Sequence, residues 1–341
     1  MLAAVTHDQW GRLLALLVAQ YRRLDLAEDG LGDAFEATVR RWPVDGVPDN
    51  PAAWLLTAAR RRVLDRLRAE AVAVRTLPLL AVEADLTEEA QRTMAGTGDR
   101  VLDERLRLVL LCAHPALARE AAAALTLRLV MGVSTEDVAR LFLVSTPTMA
   151  ARLTRARNRL AGHPFLVPTG AELAARVAVV AAVSYLAFTA GYAPGSGADV
   201  LRADVAPEAI RLVRVLRAVL PAPVEPATAR ELDALLALML LQHARRDARV
   251  ATHRSLVLLP DQDRARWHHE ETAEALHLLA AQVTAPGTPY LLQALIAAEH
   301  AVAPTSAATS WSRIVARYDE LLAIDPSPVV RLNRAVALAE A

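Results

Sequence analysis

The sequence predicts an all-α fold, and three observations predict it. Hydrophobic residues make up 54% of the chain but aromatics only 4%, a balance that favours helices packed through Ala, Leu and Val over a β-sandwich. Apolar residues recur at helical spacing in most segments. Helix-start residues, among them Asn50-Pro51, Ser134 and Ser145, stand directly before those segments.

With 341 residues, the chain has room for two or three domains, each with its own core. Residues 7 to 70 read as four helices. The first runs through Trp10 to Leu24, and the second through Gly32 to Trp42, with Ala34, Phe35, Thr38 and Val39 on its inner stripe. A polar, proline-bearing loop, Pro43 to Asn50, follows. The next helix runs from Pro51 to about Glu70, with Asn50 as N-cap and Pro51 at its first position. Trp54, Leu55, Ala58, Val63 and Leu67 cover one side of it, and Arg60, Arg61, Arg62, Arg66 and Arg68 make the other side basic. Residues 73–100 lose this regularity and carry Glu83, Asp85, Glu88, Glu89 and Asp99 with Gly96 and Gly98. They read as a partly helical linker between a first domain, 1–72, and a second, 101–163, with a break at His114-Pro115.

The end of that second domain, Val133 to Leu160, reads as helix, tight turn, helix. Ser134 caps the first helix, on which Val138, Ala139, Phe142 and Leu143 recur at helical spacing, and the turn falls near Val144. Ser145 or Thr146 caps the second helix, with Pro147 tolerated in its first turn. Met149 and Leu153 face inward, while Arg152, Arg155, Arg157 and Arg159 add four positive charges with no acid from Ser145 to Leu160. Such a helix suits the major groove of DNA; an ordinary hairpin with a solvated basic face is the alternative.

Past Gly162-His163-Pro164 the chain turns to Ala/Leu/Val-rich helices between Pro/Gly loops, and five or six helices fit residues 164–341. No firm repeat period emerges, and helix pairs of solenoid type are compatible with the pattern. The final RLNRAVALAEA reads as the first helix of a further pair. Val177 to Ala193 carries no charge, yet it is shorter than about 20 residues and contains Ser184, Tyr185 and Thr189, so a buried core helix is expected rather than a membrane span.

Charge and cysteine usage narrow the function classes. The 38 basic residues balance 38 acidic ones, so any nucleic-acid footprint is local. All the basic residues are arginine. The single Cys112 excludes an intramolecular disulfide framework and a multi-cysteine zinc module. The N-terminus lacks a secretory signal pattern, and a cytoplasmic protein is expected.

Other polar clusters carry weaker signals. Cys112 and His114 form a C-x-H pair without a second pair, which reads as a buried thiol near a helix end. His268-His269-Glu270-Glu271 lacks metal-ligand spacing, because adjacent helical residues point about 100 degrees apart; it reads as a helix start. Asp261, Asp263, Arg264, Arg245 and Arg246 form helix caps and surface pairs, with a buried ion network or a ligand pocket as the alternatives. The glycine-bearing Pro194 to Asp199 loop follows no strand and is not read as a phosphate cradle. Catalytic residues, cofactors and metal ligands are not expected.

Two helical modules, the first ending in WLLTAARRRVLDRL and the second in a basic helix-turn-helix, resemble an extracytoplasmic-function-type sigma factor of the sigma-70 family. The first module is similar to sigma region 2 and the second to region 4. LLALMLLQHARRDAR, LVLLPDQDRARW and SPVVRLNRAVALAEA resemble the subgroup with a C-terminal tetratricopeptide-like helical extension. The resemblance implies a non-enzymatic subunit that binds core RNA polymerase through the β′ clamp and β flap, recognises −35 and −10 promoter elements, and helps melt DNA. It implies polymerase contacts at Asp33, Phe35, Glu36, Arg40 and Arg41. It implies −10 contacts at Asp49 and Asn50, for an unstacked base, and at Arg60, Arg61, Arg62, Arg66 and Arg68, for phosphates, with Trp54 mainly packing. It places Thr148, Arg152, Arg155, Arg157 and Arg159 on the −35 duplex. The extension would regulate the protein from within or contact the polymerase. Two alternatives stand beside it: a one-component regulator with a ligand-sensing C-terminal domain, and an enzyme with a DNA-binding front end.

Overall fold

The structure, a computed structural model, describes residues 2–74, 98–192, 205–220, 226–249 and 256–341. Most of the expected linker and the Pro194 to Asp199 loop lie outside them. Among the described residues the fold is all-α, with fourteen α-helices and no strand. The chain folds as two compact units, Met1–Val183 and Ser184–Ala341.

In the first unit, α1 (Leu2–Tyr21), α2 (Leu24–Asp45) and α3 (Pro51–Val74) pack together. Three helices stand where four were expected, because α2 starts at Leu24 and runs straight through Gly30 and Gly32. Close packing explains the first glycine: a Cβ at Gly30 would lie 2.8 Å from Val63 and 3.1 Å from the Ala59 carbonyl of α3. Asn50 caps α3 as expected, its Oδ1 accepting the Ala53 N–H at 3.0 Å.

Next come α4 (Gly98–Cys112), a break at His114-Pro115, and α5 (Arg119–Leu125), which continues as a π-helical turn over Thr126–Val130. Then α6 (Thr135–Leu141) and α7 (Thr146–Leu160) form the helix-turn-helix. Ser134 Oγ accepts the Asp137 N–H at 3.1 Å. Of the two candidate caps for α7, Ser145 is the one used, accepting the Thr148 N–H. Leu143 does not join the inner stripe. It sits in the turn at φ +53 and is 93% exposed, since reversing the chain there needs a left-handed residue. Cys112 is fully buried, and burial pushes its thiol up to about 12, so it stays protonated and packs as an apolar group.

The two modules of this unit are not separated in space. α1 packs on α4 and on the π-turn, and the crossing is close: a Cβ at Gly11 would lie 2.2 Å from the Val130 carbonyl oxygen. The unit also extends past the expected boundary at 163. Arg22 donates to the Phe165 carbonyl at 3.3 Å, and buried Arg176 on α8 (Gly170–Tyr192) donates to the Leu110 carbonyl at 3.2 Å. α8 is long and apolar enough to cross a membrane by length and composition, and half of that window is buried inside the protein.

The second unit holds the rest of α8, then α9 (Val205–Val219), α10 (Pro226–His243), α11 (His269–Ala280), α12 (Pro289–Val302), α13 (Trp311–Ile324) and α14 (Pro328–Glu340). Helix α10 is the hub, with Leu232 and a continuous run from Ala234 to Leu241 buried, and it packs on α9, α11 and α12. Among the described residues seven helices lie past residue 164, more than the expected five or six. The last helix packs on α13. Val330 of α14 packs with Leu292 and Leu321, and Ala337 with Ile296 and Ile314.

Candidate nucleic-acid interface

Helices α2 and α3 and the loop between them enclose a cleft of about 570 Å³. Asp33, Ala37 and Arg41 line it from α2, Pro48, Asp49 and Asn50 from the loop, and Trp54, Thr57, Arg61 and Arg62 from α3. Arg61, Arg62 and Asp49 are exposed at its rim. Trp54 meets Trp42 edge-on at 5.7 Å, which packs one wall. A polar loop and two guanidinium groups around such a cleft can hold an unstacked base and its flanking phosphates.

The expected site residues divide within this region. Arg66 bridges Asp29 and Asp33 at 2.5 and 3.2 Å, and Arg68 pairs with Asp65 at 3.3 Å. Both guanidinium groups thus have carboxylates to leave before they could bind phosphate. Arg60 is a correction. It is only 3% exposed, because it continues the inward stripe of Ala53, Leu56 and Val63, and so it is withdrawn from the surface that a phosphate would meet. Of the expected polymerase contacts, Glu36 and Arg40 form an exposed pair at 2.9 Å. Phe35 is half-buried and stacks on Trp10 at 5.5 Å. Asp33 and Arg41 instead share the cleft with Asp49 and Asn50.

Helix α7 turns its buried Met149, Leu153, Ala156 and Leu160 inward. Thr148, Arg155 and Arg159 are exposed, and Arg152 lies 5.9 Å from the Phe142 ring centre. Arg157 is a second correction. Its guanidinium turns away from the exposed face to Glu28 of α2, at 2.6 Å. Glu28 also meets Arg128 at 3.1 Å, and its side chain is only 7% exposed. Arg128 in turn lies 4.7 Å from the Trp10 ring centre. Burial is the main cause that lowers the Arg128 pKa, opposed by the charge of Glu28. Glu28 and Arg128 do not stand out in the sequence. The readable signal is an acid at position 28 on the same helical face as buried Leu31 and Thr38.

A family model described as sigma-70 region 2 matches residues 8–72, and one described as sigma-70 region 4 matches residues 107–160. A third, a family of unknown function, matches residues 176–283. An uncharacterised protein of Rhizobium meliloti (strain 1021) is 40% identical over 332 residues, covering 96% of this chain and 77% of its own length. The chain belongs to the sigma-70 family. It is a sigma factor of the extracytoplasmic-function-like kind, with both DNA-binding modules and a C-terminal helical extension domain. Sigma factors of this family are transcription-initiation factors rather than enzymes, and their partners are core RNA polymerase and promoter DNA. No solved structure matches this sigma factor.

Proposed function

We propose that this sigma factor binds core RNA polymerase through the β′ clamp and β flap, docks on the −35 duplex, and opens DNA at the −10 element in the cytoplasm. The observation that carries this reading is the cleft between α2 and α3, which brings Asp49, Asn50, Arg61 and Arg62 around one space large enough for a nucleobase. Arg155, Arg159 and Thr148 on α7 supply a separate exposed face for the duplex, with Arg152 beside them. Glu36, Arg40 and Phe35 on α2 contact the clamp. The division of labour is tested by reconstituting core polymerase with each variant on a cognate promoter. Arg155→Ala weakens duplex binding, whereas Asp49→Ala impairs open-complex formation and leaves −35 affinity unchanged. Asp49 is the cleaner probe of the loop, since Asn50 also caps α3. Equal loss of both steps in both variants, or no promoter-dependent transcript across a genomic library, refutes the reading.

The extension is tetratricopeptide-like in this proposal and acts as a platform for the polymerase or as an internal regulator. Truncation after Tyr192 keeps Phe165 and Arg176, which hold the first unit together. Unchanged transcription and polymerase affinity of the truncated protein remove that role.

A further inference from the structure

Helix α1 belongs to both DNA-reading modules at once. It packs on α2 and α3 of the first and on α4 and the π-turn of the second, and its residues 13–18 are buried without a break. A helix that is apolar all round needs cover on every side. The seam is also close and pinned by charge. A Cβ at Gly132 would lie 3.2 Å from the Trp10 Cβ, and Arg22 holds the Phe165 carbonyl, beyond α7, at 3.3 Å. Glu28 of α2 pairs with Arg128 of the π-turn at 3.1 Å and with Arg157 of α7 at 2.6 Å.

This arrangement is too short for a promoter. A compact unit of 183 residues has a radius of gyration of about 16 Å and is about 40 Å across. The −35 and −10 elements lie about 25 base pairs apart, which is about 85 Å of B-DNA. A duplex of that length is stiff, since the persistence length is about 150 base pairs. The cleft between α2 and α3 and the exposed face of α7 therefore cannot both reach their elements while α1 is packed on α4. The same closure takes Arg157 away from the α7 face.

Given the proposed docking of both modules on one promoter, on which this rests, we propose that Met1–Val183 is a closed, self-inhibited unit with the Glu28 bridge as its latch. Core polymerase opens the seam between α1 and α4 when it binds both modules. Opening uncovers an apolar side of α1, so in water the closed state is the resting one, and polymerase contacts supply the free energy of opening. The strength of the latch then sets activity, because apparent affinity scales with the fraction of competent protein.

The chain has no lysine, so Arg157→Lys introduces a single side-chain amine beside the Glu28 carboxylate. A carbodiimide couples the two into an amide that locks the seam. The full-length variant is coupled in the free state, the link is mapped by mass spectrometry, and promoter-dependent transcription with core polymerase is compared before and after coupling. Wild type carried through the same treatment is the control. The expected results are a link to Glu28 in the free protein, about tenfold less transcript from the coupled form than from the uncoupled form of the same variant, and no link when core polymerase and promoter are bound first. Full activity of the coupled form overturns the proposal, as does a link that forms as readily in the promoter complex, or absence of the link from the free protein. Glu28→Gln gives a second readout, since it weakens the latch without touching the DNA-facing arginines. With core polymerase limiting, its transcription is expected to rise about threefold, although the fold is less stable; a purely structural role of Glu28 would lower it. Unchanged or lower transcription by folded Glu28→Gln overturns the latch, and if that variant fails to fold the cross-link decides. Failure of the proposed function shows separately, as no promoter-dependent transcript from untreated wild type, and that result overturns both.

Discussion

Replacing Glu28 with glutamine removes one charge that holds two modules together. In the structure its Oε1 lies 3.1 Å from Arg128 Nε and its Oε2 lies 2.6 Å from Arg157, with both arginine side chains 21% exposed. Each ion pair is worth a gross attraction of about 4 kcal/mol at an effective dielectric constant of about 20. Desolvation of the carboxylate offsets much of that sum. Glutamine keeps the shape and can still accept a hydrogen bond, but it leaves two half-buried cations facing a neutral group. The expected loss is about 2–4 kcal/mol, within the range for breaking a buried network. For a unit of this size that lowers the melting temperature by about 5–10 °C. Urea unfolding of Glu28→Gln, Arg157→Gln and the double variant measures it, with a coupling energy of about 1–3 kcal/mol expected from the cycle. Additive single effects, or a loss below about 0.5 kcal/mol, would refute the view that this contact ties α2 to α7.

Four further outcomes follow from local geometry. Leu143→Gly relieves an exposed left-handed residue and is expected to raise stability by about 0.5–1 kcal/mol in urea melts. Gly11→Ala drives a Cβ to 2.2 Å from the Val130 carbonyl oxygen, and a loss of about 1–3 kcal/mol is expected as the crossing of α1 with the π-turn is forced apart. Ser134→Ala and Ser145→Ala each remove an N-cap and cost about 1 kcal/mol, read as a fall in the urea midpoint. His300 sits in the folded protein at about 4, below its ordinary 6.5, so the folded state binds the proton less well than the unfolded chain. Its contribution to stability is therefore complete above pH 6.5 and is lost as pH falls toward 4, by about 2 kcal/mol after allowing for partial exposure. His300→Gln should flatten that part of the stability profile.

Local features were legible in the sequence because short-range chemistry sets them. The Asn50, Ser134 and Ser145 caps, the inward Met149 and Leu153, and the buried Cys112 follow from residue type and helical period. Arg60 was legible in principle, since its place in the stripe of Leu56 and Val63 says more than its charge does. Leu143 falls outside the inner stripe because a periodic run of apolar residues does not reveal the residue at which the backbone reverses. The start of α2 is hidden because Gly30 and Gly32 read as breakers, while close packing of Gly30 on α3 tolerates the first of them. Least legible was the pairing of Glu28 with Arg128 and Arg157. It joins positions one hundred and more residues apart, and no local pattern encodes such a meeting.

The inward turn of Arg157 bears on how α7 would respond to salt. Each phosphate neutralised by an arginine releases condensed counterions, contributing about −0.9 to the slope of log affinity against log salt. With Arg157 held by Glu28, the proposed duplex-facing cations are Arg152, Arg155 and Arg159. A fourth joins them only when the ion pair opens. The salt slope of −35 binding is thus a counter for the state of that contact, and a steeper slope in the polymerase-bound protein than in the free one would register its release.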